Sequence, residues 1–119
     1  KGVDVIYDCI GGDFAEAALR AIAWEGRFLV IGFTAGIPKL PLNLTLLKSC
    51  QVIGVFYGAM IARQPELLEE ISNELWSLLE DGKLNPYVSA RYALSDAPQA
   101  LRDLLDRKVT GKVVIEANR

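Results

Sequence analysis

The sequence predicts an α/β protein built on a parallel sheet. Short apolar runs of strand length alternate along the chain with longer stretches whose apolar residues recur at helical spacing. Most of these runs stop at glycine, the residue that lets a strand or helix turn into a loop. The composition, 51% hydrophobic and 24% charged over 119 residues, suits one packed core and not a disordered chain.

Residues 3–10 (VDVIYDCI) place Val3, Val5, Tyr7 and Cys9 on one face of a strand that Gly11 and Gly12 end. Asp13 and Glu16 have capping-box spacing. Behind them Ala15, Ala18, Leu19, Ile22 and Ala23 form a helical stripe up to Gly26. Residues 27–33 (RFLVIGF) are too short for an independent helix and nearly all apolar, which predicts a strand covered on both faces. Gly36, Pro38 and Pro41 make residues 34–41 a loop. Asn43 caps a short helix through Leu44, Leu47 and Lys48, or else the alternating residues 40–46 run as a strand. Residues 51–57 (QVIGVFY) read as a third strand bounded by Gly58. Pro65 then opens a helix carrying Leu68, Ile71, Leu75, Leu78 and Leu79 as far as Gly82. A strand over 87–94 follows. A helix capped by Ser95, with Pro98 in its first turn, and a strand over 112–116 complete the chain. The polar turn-former stretch 81–86 (DGKLNP) is the best candidate for a domain boundary.

Several function classes are excluded at once. Thirteen basic against 15 acidic side chains leave a net charge of −2, so nucleic acid finds no basic field here. No apolar run reaches the roughly 20 residues of a membrane span, so no membrane partner is expected. Without a single His, the chain holds no Ser-His-Asp triad, Cys-His pair or His-based zinc site. Cys9 and Cys50 match neither a metal half-site nor a disulfide framework, and read as reduced thiols in a cytoplasmic protein. Lys1 leads directly into the first strand, so the chain is expected to begin mid-domain.

In an open parallel sheet, ligands bind beyond the carboxyl ends of the strands. Gly11, Gly12, Gly32 and Gly58 stand at those ends. They serve either as turn-formers alone or as places where a flat ring or ribose approaches the backbone. Cys9 by itself reads as a small buried residue, Asp8 as a strand-end acid and Asp13 as a helix cap. Phe33, Phe56 and Tyr57 read as core or edge aromatics, and the acids of the 66–80 helix as its solvated face.

The phrases VDVIYDCIGG, GRFLVIGFTAG, CQVIGVFYG, NPYVSARYALSDAPQAL and TGKVVIE, in this order and spacing, resemble the carboxyl-terminal part of the medium-chain dehydrogenase/reductases, in their quinone oxidoreductase branch. The resemblance covers essentially the whole chain. It implies the second half of a Rossmann-type sheet, strands four to six with their helices, in residues 1–84. Residues 85–119 would then form a strand-helix-strand segment that returns to the catalytic domain. It implies NADPH as cofactor, with NADH not excluded, and hydride transfer to a quinone, enone or related activated carbonyl. Ile31, Gly32, Phe33 and Thr34, with Val55, Phe56 and Tyr57, would line the nicotinamide end, and Cys9, Ile10 and Gly11 would sit nearer the ribose. The glycine-rich phosphate turn of that family is not among these residues. No residue here is expected to act as a nucleophile or to bind zinc, which the branch generally lacks. The resemblance also implies a homodimer through residues 52–57, which form an uncharged, β-prone edge. Two rival readings are a non-catalytic α/β binding or regulatory module and a methyltransferase, against which the TGKVVIE ending argues.

Overall fold

The computed structural model describes residues 1–117. In chain order the elements are β1 (Val3–Asp8), α1 (Phe14–Ala21), β2 (Ile22–Val30), α2 (Asn43–Lys48), β3 (Gln51–Gly54), α3 (Tyr57–Arg63) and α4 (Pro65–Glu80). They are followed by β4 (Val88–Ala93), a 3-10 turn (Leu94–Asp96), α5 (Ala97–Leu105) and β5 (Lys112–Glu116). The chain forms two compact units, Lys1–Pro65 and Glu66–Arg119. The expected division after residue 84 falls inside the second. There Lys83 N–H bonds Leu78 O and Gly82 N–H bonds Leu79 O, so DGKLNP begins as the carboxyl cap of α4.

In the first unit β1, β2 and β3 are parallel neighbours in that order, with Ile6 opposite Phe28 and Leu29 opposite Ile53. The core joins Ala15 and Leu19 of α1, Ile22 and Phe28 of β2, and Leu44 of α2, with Ile6, Val30, Leu40 and Cys50 packed against it. β2 was expected to be covered on both faces. Its residues instead alternate, with Phe28 buried, Arg27 exposed and Leu29 half-buried, because α1 and α2 supply one covering layer.

The helix α1 ends earlier than its apolar stripe. Ile22 is already extended (φ −66°, ψ 146°), and its buried side chain completes the stripe from the strand side. Residues 23–26 bulge between the pairs Val3–Ile22 and Val5–Arg27, with Glu25 at φ 59°. The capping box does not form. Asp13 is helical and makes no side-chain cap bond, while Glu16 pairs with Arg20 at 2.7 Å on the exposed face. Residues 43–48 are helix and not strand. Leu42, not Asn43, occupies the cap position, and its carbonyl accepts the Thr45 hydroxyl at 2.6 Å.

In the second unit β4 and β5 pair in parallel, Tyr92 opposite Ile115. Ser95 lies inside the 3-10 turn and Asp96 takes the cap position of α5, without a side-chain cap bond. The Tyr92 hydroxyl donates to Asp103 Oδ2 at 2.7 Å, tying β4 to α5, and Gln99 Nε2 donates to Oδ1 at 2.9 Å. The Tyr92 bond, then Gln99, with Lys108 adding, holds the Asp103 carboxyl below its ordinary 3.8, and the same bond lifts the Tyr92 phenol above 10.0. A depressed carboxyl contributes stability that is full above its ordinary range and is lost as pH falls through the folded value. A raised phenol contributes below 10.0 and loses its share as pH climbs past the folded value. Asp103→Asn is therefore expected to flatten the acid limb of the stability profile, measured as urea midpoints from neutral pH down to below 3.8. Equal slopes in variant and wild type would count against this bond.

α5 closes in a Schellman arrangement. Lys108 N–H bonds Asp103 O at 2.9 Å and Arg107 N–H bonds Leu104 O at 3.1 Å, with Arg107 at φ 56°. A non-glycine residue is disfavoured in the left-handed region, so Arg107→Gly is expected to stabilise the protein by about 0.5–1 kcal/mol in chemical denaturation.

Candidate functional site

β1 and β2 end together, at the pair Asp8–Val30, and the loops that follow them are joined by hydrogen bonds. Asp8 Oδ1 accepts the N–H groups of Ile10 and Gly11, each at 2.9 Å. The Asp8 carbonyl accepts Ile31 N–H at 2.9 Å and Gly32 N–H at 3.3 Å. Farther out, Thr34 Oγ1 donates to Cys9 O at 3.3 Å, Ala35 N–H to Ile10 O at 2.8 Å, and Gly12 N–H to Gly36 O at 2.7 Å.

The closeness of the two loops explains Gly11 and Gly12. Both have positive φ, 69° and 55°, and a Cβ on either would lie 2.6 Å from a carbonyl oxygen of the facing loop, Gly36 O or Ala35 O. Gly32 is different. Its φ is unstrained, and a Cβ there would meet nothing nearer than Cys9 O at 3.4 Å, an ordinary contact. Packing therefore does not demand a glycine at 32, a half-buried position whose Cβ would rest against the Cys9 backbone. Beside it, the N–H groups of Phe33 and Thr34 have no hydrogen-bond partner among the described residues.

The structure thus brings Cys9, Ile10 and Gly11 against Ile31, Gly32, Phe33 and Thr34. Cys9 is exposed, contrary to its reading as a small buried residue, because β1 has ended before it. Val55 adjoins this group through its N–H, which donates to Val30 O at 2.9 Å. Phe56 and Tyr57 were expected to continue the strand, but β3 stops at Gly54, where its partner β2 stops, and Tyr57 opens α3. Phe33, Phe56 and Tyr57 are 47%, 79% and 49% exposed, so none is a core aromatic. Asp8 was read only as a strand-end acid. The signal for its larger role was an Asp followed within three residues by Gly, a combination that favours bonding of the carboxylate to the turn's own N–H groups.

A cavity of about 380 Å³ lies beside the joined loops, lined by Gly12, Asp13, Glu16, Gly36 and Lys39 among others. None of the ten expected site residues lines it, and two carboxylates make it a poor seat for phosphate. The sequence has no His, and among the described residues no three His, Cys, Asp or Glu side chains come together.

A family model for zinc-binding dehydrogenases matches residues 1–115. A quinone oxidoreductase-like protein 2 homolog from Nematostella vectensis is 38% identical over 120 residues, covering 99% of this chain and 33% of the relative. The quinone oxidoreductase of Thermus thermophilus superposes with a TM-score of 0.79 at 31% identity, over 98% of this chain and 37% of that one. An Escherichia coli quinone oxidoreductase solved with NADPH gives 0.75 at 30% identity, over 98% and 37%. The chain spans about a third of the length of these relatives. Sequence and fold agree from the first strand to the last, and the chain belongs to the zinc-binding dehydrogenase family, among the medium-chain dehydrogenase/reductases of the quinone oxidoreductase kind.

Proposed function

We propose that these residues form the nicotinamide- and ribose-facing part of an NADPH-dependent oxidoreductase that delivers hydride to quinones, enones or related activated carbonyls. The observation that carries the reading is the pair of unpartnered N–H groups of Phe33 and Thr34, next to a glycine that packing does not require, at the carboxyl end of a parallel sheet. A flat ring bearing an amide would suit such a surface, because the Phe33 and Thr34 N–H groups are free to donate to an amide oxygen. NADPH is favoured over NADH because relatives from Thermus thermophilus and Escherichia coli were solved with it.

When bound, the dinucleotide supplies the hydride. This chain's residues bind and orient. Ile31, Gly32, Phe33 and Thr34, together with Val55, Phe56 and Tyr57, would line the nicotinamide end through backbone groups and apolar contact, and Cys9, Ile10 and Gly11 would sit nearer the ribose. No side chain here acts as a nucleophile, and the reaction is read as zinc-independent. The free thiols Cys9 and Cys50 favour a cytoplasmic setting.

The test is NADPH oxidation, with and without a quinone, by the intact enzyme and by these 119 residues alone. The intact enzyme is expected to turn over. The 119 residues are expected to be inactive, because they contain no GxGxxG turn for the pyrophosphate. Turnover by the 119 residues would refute the division of labour, and an intact protein that fails to bind NADPH would favour a non-catalytic module.

The reading includes a homodimer through residues 52–57, which begin in β3 at the edge of the three-stranded sheet. Because Val55 N–H bonds Val30 O and alternate residues of a strand point the same way, Ile53 and Val55 bond β2 while Val52 and Gly54 face outward. Val52→Pro removes only an outward donor, so it is expected to convert the dimer to monomer in light scattering without loss of fold. A Val52→Pro protein that keeps its dimer would place the interface elsewhere.

A further inference from the structure

Asp8 engages both loops of the joint with different parts of itself. Its carboxylate Oδ1 gathers the Ile10 and Gly11 N–H groups and so shapes the loop after β1, while its carbonyl holds Ile31 and Gly32 at the start of the loop after β2. Among the described residues no other side chain accepts from the first loop's N–H groups. Gly11 and Gly12, both at positive φ, have no Cβ to restrict their backbone once it is unheld. If the carboxylate acceptor is lost, the first loop is free to open. Ile10 O and Gly12 N–H would then lose their bonds to Ala35 N–H and Gly36 O, which anchor the segment carrying Phe33 and Thr34.

The geometry points to Asp8 as a positioning residue that sets the orientation of the Gly32–Thr34 backbone toward the cofactor by accepting two N–H groups, not by presenting negative charge. This inference rests on the proposed cofactor site. It separates two properties of one side chain, because an Asn Oδ1 accepts the same two N–H groups without charge and Ala accepts none.

The experiment compares wild type, Asp8→Asn and Asp8→Ala in the intact enzyme, reading NADPH Kd, kcat, acceptor KM and the denaturation midpoint. Asp8→Ala is expected to raise Kd about tenfold and to lower kcat by about the same factor with little change in acceptor KM, because misorientation costs rate more than acceptor affinity. Asp8→Asn is expected to stay within about threefold of wild type. A residue of merely structural importance would lower the midpoint but leave Kd and kcat of the folded protein unchanged. A folded Asp8→Ala protein with wild-type Kd and kcat overturns the inference, and so does an Asp8→Asn protein as impaired as Asp8→Ala. Amide hydrogen exchange on the wild type needs no variant: Ile10 and Gly11 are expected to be protected with and without NADPH, and exchange at free-loop rates would remove the joint itself. If the wild type shows that protection but binds no NADPH, the functional reading has failed and the joint stands alone.

Discussion

Phe28→Ala is expected to destabilise the protein by about 3–5 kcal/mol, the cost of emptying a large aromatic site in a core that collapses only in part. Phe28 is 1% exposed, sits in the central strand and packs with Leu19, Ile22 and Leu44, so both covering helices lose a contact. Trp24 in the same strand reports unfolding by fluorescence, with Trp76→Phe as the background to silence the other indole. Leu105→Ala is the control. At 82% exposure it is expected to cost less than about 0.5 kcal/mol. A loss at Phe28 below about 1 kcal/mol would mean that this cluster does not hold the first unit together.

Gly32→Val, in contrast, is expected to spare the fold and damage binding. The position has unstrained φ, and its first added carbon would rest on the Cys9 backbone, nearest at O, 3.4 Å, an ordinary contact, so the variant should melt within a few degrees of wild type. A branched side chain at the proposed cofactor site would hold a ring away, and NADPH affinity should fall by about 1–3 kcal/mol, roughly 5- to 150-fold in Kd. Gly12→Ala gives the opposite pattern. Its Cβ would lie 2.6 Å from Ala35 O at φ 55°, so stability falls first. Unchanged NADPH affinity in a folded Gly32→Val protein would remove Gly32 from the site.

The contrast between these two glycines shows what periodicity could and could not convey. Gly11, Gly12 and Gly32 look alike in sequence, each at or near the end of a β-rich run. Only the facing loop separates them, because Gly36 O and Ala35 O stand where a Cβ would be at 11 and 12, and nothing so close stands at 32. Asp8 is a similar case. A strand-end acid is visible in the sequence, but that its carbonyl anchors Ile31 and Gly32 depends on a neighbour more than 20 residues away.

The alternation of strand-length and helix-length apolar patterns determined the α/β class, the order of most elements and the buried stripe Ala15, Leu19 and Ile22, since burial on one face imposes its period on the chain. Absence of His determined that this chain carries no imidazole chemistry. Where strands stop was decided by tertiary structure. The run from Val52 to Tyr57 is β-prone throughout, yet β3 ends at Gly54 because β2 offers no partner beyond Val30, and the residues after it turn into α3, which had no separate signal. Strand ends are set by the length of the neighbouring strand, and the surface that binds a ligand is made of what lies just past those ends. A local pattern carries the period of an element, while its last residue and the loop beyond belong to contacts between segments far apart in the chain.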